Sequence, residues 1–470
     1  MTKFKFTTKP WAHQLAALEY LFSRSFGALY TDMGSGKTKV LIDLIINKGF
    51  KRTIIVATNK VCTRQVWDKE ILKHAPSAQI MVINLAGIDS DKKVRHLSYL
   101  RTETKLDQEV LIVNYEGIWR EPFKTFLLNK YKPDCVICDE SHRIKSAGSK
   151  VSRFLTRLGK ITPNRYVMTG TPLAQSPLDI YAQYRFLQPS IFGTNFGDFS
   201  RQYANWISMP GGYSILDKNK PYKNLDELHE KMFSCAFDCK VDQNLPPTQD
   251  IILEFEMPPQ TQKYYAELKK EGCLELEQGD LETGNVLGIM TRLQQLTSGY
   301  LPLSVDGKKT VTEIDTARQT ALREWLEDIP EQEPIVVFAK FTKDIKNIRK
   351  TAESIGRKTS ELSGHEDTLQ DWVDDKTKVL VIQISAGAEG LNELVKAKYC
   401  LYYTHHHSLM LYKQSRKRLH RPGQLRPVIF YTLVAKLKKG KTIDELILEG
   451  LKANQEIIEL VMGDLARKTP

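Results

Sequence analysis

The sequence predicts an α/β protein built on parallel sheets, and three observations carry that prediction. First, Phe26-Gly27-Ala28-Leu29-Tyr30 is short and apolar enough for a buried strand. It runs through Thr31-Asp32-Met33-Gly34-Ser35-Gly36-Lys37-Thr38 into a helical pattern over residues 40–46. Second, apolar β-rich runs recur between helical stretches at residues 53–58, 110–115, 135–139 and 165–168. Third, after a long segment of different character the alternation resumes at 335–339, 379–383, 399–403 and 428–434. Continuous apolar strands alternating with helices are the pattern of a parallel sheet covered on both faces.

Length and composition bound the rest. The chain has 470 residues, enough for two or three domains with substantial cores. Its 41% hydrophobic and 26% charged residues are those of an ordinary soluble globular protein. The net charge of +12 and pI near 9.1 point to an anionic partner, nucleic acid first. No secretory leader pattern appears and no apolar run approaches a membrane span, so a membrane partner is not expected. Seven cysteines form no dense framework, which favours a reducing cytoplasm over secretion. Of the two close cysteine pairs, Cys135/Cys138 and Cys235/Cys239, the first lies in a strand-like run. Strand residues three apart point to opposite faces and chelate poorly, so core packing is expected rather than zinc.

The loop at 31–38 is where the chemistry begins. Strand, glycine-rich turn and Gly36-Lys37-Thr38 opening a helix is the layout of a phosphate-binding loop. Gly34 and Gly36 let the backbone on either side of Ser35 curl, so that several N–H groups face one anion at a helix N-terminus. Lys37 is expected on the outer phosphates of a nucleoside triphosphate and the Thr38 hydroxyl on Mg²⁺. Upstream, Gln14 opens an apolar helix over residues 15–22, where its amide can meet an adenine edge. Asp139 ends an apolar strand, where its carboxylate can face the loop as the second Mg²⁺ anchor. Its neighbour Glu140 can polarise the water attacking the γ-phosphorus. His142 is expected to couple this site to Thr169-Gly170-Thr171 through the threonine hydroxyls. Near the far end, Gln414, Arg418 and Arg421 stand at i, i+4 and i+7, one face of a helix that Pro422-Gly423 then stops. Two arginines there suit a transition state with charge spread over phosphoryl oxygens, and also suit plain phosphate binding.

Together these motifs resemble superfamily-two helicases, specifically the Swi/Snf-type DNA translocases. Asp32-Met-Gly-Ser-Gly-Lys-Thr38 is similar to the family's phosphate loop, Asp139-Glu-Ser-His142 to its Asp-Glu-x-His box, and Thr169-Gly-Thr-Pro-Leu173 to its third motif. Ser385-Ala-Gly-Ala-Glu-Gly-Leu-Asn392 resembles the fifth and Gln414 through Gln424 the sixth, with both arginine fingers in place. Leu228-His229, Leu245-Pro-Pro247, Gln262 and Tyr264 resemble the helical insertion, and Thr442-Ile-Asp-Glu445 the closing brace helix. The resemblance implies two RecA-like lobes, 1–190 and 306–470, with a mainly helical insertion over 191–305. It implies ATP between the lobes, with Gly390 and Gln414 adding to the nucleotide contacts and Arg418 and Arg421 to catalysis. It implies DNA phosphates held near Thr58, Gln65 and Tyr115 in the first lobe, and near Lys340 and Ser385 in the second. The sequence departs from the family at Ala388-Glu389, at Glu393, and at His405-His406-His407-Ser408, where the family usually reads Trp-Asn-Pro. Consecutive histidines rarely converge on one ion, so the triplet is not read as a metal site.

The expected activity is that of a DNA-dependent ATPase using ATP and Mg²⁺. It would move on duplex, forked or junction DNA as a monomer and remodel it, branch migration included. A compact motor of this kind fits a phage or bacterial protein working in the bacterial cytoplasm. The motif set also accommodates a duplex translocase that displaces bound proteins without unwinding, or, outside enzymes, an ATP-switched nucleic-acid clamp.

Overall fold

A computed structural model describes residues 4–32, 34–75, 80–103, 108–209, 212–217, 219–239, 245–277, 283–305, 308–386 and 393–462. The chain divides into two compact units, Met1–Asp242 with Gln455–Pro470, and Gln243–Asn454.

In the first unit the apolar runs become strands: β1 (Phe26–Leu29), β2 (Arg52–Ala57), β3 (Ile80–Asn84), β4 (Gln108–Asn114), β5 (Cys135–Asp139) and β6 (Asn164–Met168). A small hairpin, β7 (Trp206–Ser208) with β8 (Ser214–Leu216), precedes β9 (Ala236–Phe237). The main sheet has the order β3-β4-β2-β5-β6-β1-β9, and its pairings are parallel. All five residues of β5 are buried, which explains their uniform apolarity up to Asp139. Helices α1 (Ala12–Phe22) and α2 (Lys37–Lys48) pack on one face, in a core that contains Leu18, Leu21, Val40, Leu41, Leu44, Ile55, Ile112, Cys135 and Ile137. Cys138 is buried outside that cluster, so the two strand cysteines do face opposite ways. α2 ends at Gly49, whose φ of +66° lets its N–H cap the Ile45 and Ile46 carbonyls.

Register puts the functional positions in one row. Leu29 pairs with Met168, Met168 with Asp139, Val56 with Cys138 and Ala57 with Asn114. The residues just beyond these strand ends therefore share the carboxyl edge of the sheet, where open α/β sheets bind ligands. They are the loop after β1, Thr169, Glu140, Thr58 and Tyr115.

The second unit holds β10 (Thr248–Glu256), the hairpin β11 (Tyr300–Val305) with β12 (Lys308–Glu313), β13 (Ile335–Ala339), β14 (Thr359–Leu362), β15 (Val379–Gln383), β16 (Tyr399–Tyr402) and β17 (Val428–Lys436). Its six-stranded parallel sheet runs β10-β17-β16-β13-β15-β14. Val336 and Phe338 enter one core while Ile335, Val337 and Ala339 enter the other, so both faces are covered. The segment 191–305 is shared between the units. It supplies four helices, the β7–β8 hairpin, β11, and an edge strand to each sheet, β9 and β10. The side chains of β10 alternate between exposed and half-buried, as on an edge strand with one side toward solvent.

Candidate nucleotide site

The loop between β1 and α2 is braced from within. Gly34 and Gly36 adopt φ of +81° and +77°, left-handed conformations that glycine enters without a Cβ penalty. The Ser35 hydroxyl donates to the Asp32 carbonyl at 2.7 Å and lies 2.8 Å from Thr31 Oγ1. Lys37 Nζ donates to the carbonyls of Thr31 and Asp32 at 2.8 and 2.9 Å. Its ammonium is thus folded over the loop that it is expected to serve.

Gln14 sits against the same loop, 4% exposed. Its Oε1 accepts the Trp11 N–H at 2.9 Å and its Nε2 donates to the Ser35 carbonyl at 3.2 Å. His13 Nε2 lies 2.8 Å from that same carbonyl. A Cβ on Gly36 would come within 2.1 Å of Gln14 Nε2. In this conformation the Gln14 amide fastens the loop to α1.

Asp139 and Glu140 stand side by side at the end of β5. Asp139 is 8% exposed, and its Oδ2 accepts the indole N–H of Trp67 at 2.9 Å. The Tyr115 hydroxyl donates to the Asp139 carbonyl at 2.6 Å. Glu140 turns sharply away with φ +50°, which costs a non-glycine residue about 1 kcal/mol or more. Its Oε2 accepts the Thr169 hydroxyl at 2.9 Å and lies 3.4 Å from His142 Nδ1. Burial pushes this carboxyl up, but His142, Lys37 and the Thr169 hydroxyl together hold it well below the usual carboxylate range. Glu140 is therefore ionised at neutral pH, as a group that polarises water must be.

Of the two threonine hydroxyls expected near His142, that of Thr169 is in reach: His142 Nδ1 lies 3.1 Å from Thr169 Oγ1. That oxygen also receives the Thr171 N–H at 3.1 Å and gives its one proton to Glu140. The pattern assigns a proton to His142 Nδ1. Among the described residues, His142 Nε2 and the Thr171 hydroxyl are buried without a hydrogen-bond partner.

The other expected residues are placed unevenly. Gln65 is exposed, at φ +55°, where it precedes the helix Val66–His74. Thr58 is 2% exposed and Tyr115 3%, so their side chains lie under the edge rather than on it. The Tyr115 hydroxyl is already engaged by Asp139, which turns this residue from a surface contact into a strut. In the second unit Lys340 follows β13 and donates from Nζ to Gln294, while Ser385, two residues past β15, is exposed. Gln414 is 1% exposed on the helix Leu409–Leu419, and Arg418 is half-buried on that helix. Arg421 is not on it: the helix closes at His420, because the residue before Pro422 is pushed out of helical geometry. The shared helical face thus holds for Gln414 and Arg418 only. Gly390 lies outside the described residues. Of the three histidines, His406 and His407 stack with ring centroids 4.3 Å apart, and His405 is held elsewhere. His405 is buried with Nε2 3.2 Å from Thr432 Oγ1, while His406 Nδ1 accepts the Ser408 N–H at 3.0 Å.

The sequence did not single out Trp67. A buried indole needs an acceptor for its N–H, but no spacing names the acceptor as Asp139, 72 residues away.

A polyphosphate fits these residues. The left-handed glycines turn the backbone on either side of Ser35, the start of α2 has no side-chain cap among the described residues, and Lys37 supplies the charge. Mg²⁺ fits too, since the Thr38 hydroxyl and the Asp139 carboxylate are hard oxygen donors. Fold and site define a phosphate-loop α/β protein with an acidic pair at the end of a neighbouring strand. The chain belongs to the SNF2-related domain family, whose description matches residues 13–299. An ATP-dependent helicase of Mycoplasma pneumoniae, itself uncharacterized, is 25% identical over 93% of this chain and 40% of its own length. The chromatin-remodeling ATPase ISW1 of Saccharomyces cerevisiae is 24% identical over 97% of this chain and 41% of its own. The yeast DNA repair and recombination protein RDH54 is 24% identical over 85% and 43%. The chain thus spans about two fifths of the length of the curated relatives it matches. Among solved structures, the Sulfolobus solfataricus SWI2/SNF2 ATPase core in complex with dsDNA is 18% identical. It covers 99% of this chain and 95% of its own with a TM-score of 0.44.

Proposed function

We propose that the chain is a DNA-dependent ATPase motor that translocates on DNA and remodels forked or branched duplexes, branch migration included. The observation that carries this reading is the convergence at one sheet edge of the loop with Lys37, Asp139, ionised Glu140, and Thr169 with His142. Family membership and relatives named as helicases and remodelling or recombination ATPases support it.

In this reading Lys37 leaves the Thr31 and Asp32 carbonyls for the outer phosphates. Glu140 orients the attacking water, and the hydroxyl of Thr169 and imidazole of His142 hold that carboxylate in place. Mg²⁺, held by Thr38 and Asp139, supplies electrostatic neutralisation of the phosphates when bound. Arg418 and Arg421 are assigned to the charge developing on the transferred phosphoryl group. Gln14 reads the adenine edge after giving up its hydrogen bonds to Trp11 and Ser35.

DNA is the partner that the charge favours. Besides the net +12, the helix Lys150–Ile161 exposes Lys150, Arg153, Arg157 and Lys160. With Trp119, Lys124 and others, the first three line an open groove of about 510 Å³. Cations on such a face bind phosphates without reading sequence. Among the described residues no helix is long and apolar enough to cross a membrane. We place the motor in the cytoplasm, acting as a monomer.

The decisive experiment measures ATP turnover with single-stranded, duplex, forked and four-way-junction DNA, with RNA as control. Glu140→Gln and Lys37→Ala run alongside. Turnover should rise most with forked or junction DNA and fall at least 100-fold in either variant. Equal stimulation by plain duplex would remove the remodelling role and leave a duplex translocase. Full turnover in Glu140→Gln would refute the catalytic assignment.

A further inference from the structure

The geometry points to Trp67 and Tyr115 as positioning residues that connect nucleic-acid contact at the sheet edge to the Asp139 carboxylate. This rests on the reading of the chain as a DNA-stimulated ATPase and adds the residues through which DNA would act on the nucleotide site.

Two hydrogen bonds converge on Asp139. One comes from Trp67 Nε1 to the carboxylate at 2.9 Å, the other from the Tyr115 hydroxyl to the main-chain carbonyl at 2.6 Å. Trp67 is 1% exposed and Tyr115 3%, so neither bond competes with solvent. Each donor is one or two residues from an exposed position. Trp67 is two residues from exposed Gln65, and Tyr115 immediately precedes exposed Glu116. Tyr115 follows β4, on the β2–β4 side of β5, while β6 and β1, with the phosphate loop, lie on the other; Trp67 shares a core with Val40 and Leu44 of α2, the helix that the loop opens. Asp139 is therefore the residue where the two halves of the sheet edge meet.

Backbone strain marks the same positions. Gln65 and Glu140 are two of five non-glycine residues with positive φ among those described, at +55° and +50°. One stands two residues before Trp67 and the other directly after Asp139. Such conformations persist only where the surroundings over-determine them, and they cluster at switch regions. A ligand that engages Gln65 acts on the strained entry to the helix carrying Trp67. Hydrogen bonds weaken steeply with angle and over a few tenths of an ångström. A sub-ångström shift of that helix therefore re-aims the Asp139 carboxylate, a member of the proposed Mg²⁺ donor set. Tyr115 fixes the Asp139 backbone against which that re-aiming occurs, and Glu140 follows in the chain.

The test uses the full chain with Trp67→Phe and Tyr115→Phe, which remove the donors and keep most of the buried bulk. Turnover is measured with and without duplex DNA, along with affinities for duplex DNA and for a non-hydrolysable ATP analogue. Trp67→Phe should lower the DNA-stimulated kcat roughly tenfold, as for loss of one hydrogen bond to a charged group. The DNA-free rate and both affinities should stay within about twofold, so that the stimulation ratio collapses. In parallel, the Trp67 indole N–H resonance, assigned by its loss in Trp67→Phe, should shift when duplex DNA is added to nucleotide-free protein. An unchanged stimulation ratio, or an equal fall in both rates, overturns the inference, as does an indole resonance that ignores DNA. Absence of DNA stimulation in the unmodified protein would instead refute the motor reading itself.

Discussion

Replacing Asp344 by Asn should make the second unit more stable, by an amount set by pH. Asp344 is fully buried on the helix Thr342–Ser354. Its Oδ2 accepts the Thr404 hydroxyl at 2.8 Å, and the Ser298 and Tyr300 hydroxyls also bear on the carboxylate. Burial pushes this carboxyl from 3.8 to about 6, against the opposing pull of the Thr404 hydroxyl and the Arg318 charge. Between those two values the folded chain binds a proton that the unfolded chain has released, so stability falls as pH rises through the window. At about 1.4 kcal/mol per pH unit, the ionised carboxylate costs the folded state roughly 3 kcal/mol above pH 6. Asn keeps the acceptor for Thr404 and adds a donor. The Ser298 and Tyr300 hydroxyls, which also hold this carboxyl down, remain beside the amide. That ionisation cost already includes the attraction to Arg318, so it is the upper bound of the gain, and with an amide that fits the site less well than a protonated carboxyl we expect about 2 kcal/mol at pH 8. In a unit of this size that is roughly 4–8 °C in the unfolding midpoint. By calorimetry the gain should shrink to about half at pH 5 and nearly vanish near pH 4. A gain independent of pH, or a loss at pH 8, would refute the argument.

Two further outcomes follow from single contacts. Gly36→Ala should weaken binding of an ATP analogue at least tenfold in a calorimetric titration, because φ is +77° and the new Cβ would meet Gln14 Nε2. Adding Gln14→Ala should not restore it, since the backbone strain remains; restoration would assign the whole cost to the clash. Arg318, 1% exposed, donates to the Thr297 and Tyr403 carbonyls and pairs with buried Asp444 at the start of the helix Ile443–Val461. Arg318→Ala should therefore destabilise by roughly 3–5 kcal/mol in urea unfolding, because it strands a buried carboxylate. The double change Arg318→Met with Asp444→Leu should cost clearly less. Equal losses would mean that the ion pair is not the cause.

What the sequence determined by itself is the set of central strands. Ile335–Ala339 and Val379–Gln383 are found where the apolar runs predict them, because a strand buried on both faces must be apolar throughout. The turn between β1 and α2 was equally legible, since left-handed backbone at Gly34 and Gly36 calls for glycine. The edge strands β3, β10 and β14 were not singled out. β10 is half-exposed, and β14 reads Thr-Ser-Glu-Leu, with Glu361 held by Arg349. Their conformation comes from pairing with a neighbouring strand, which local pattern does not carry. The end of the helix before Arg421 was set by Pro422, a local signal that outweighed the helical spacing. Only tertiary structure decided which groups share hydrogen bonds: Trp67 with Asp139, Thr169 with both Glu140 and His142, Gln14 with Ser35. Those partners stand 72, 29, 27 and 21 residues apart. Strand order and register, rather than any spacing along the chain, bring such distant groups to one edge of a parallel sheet.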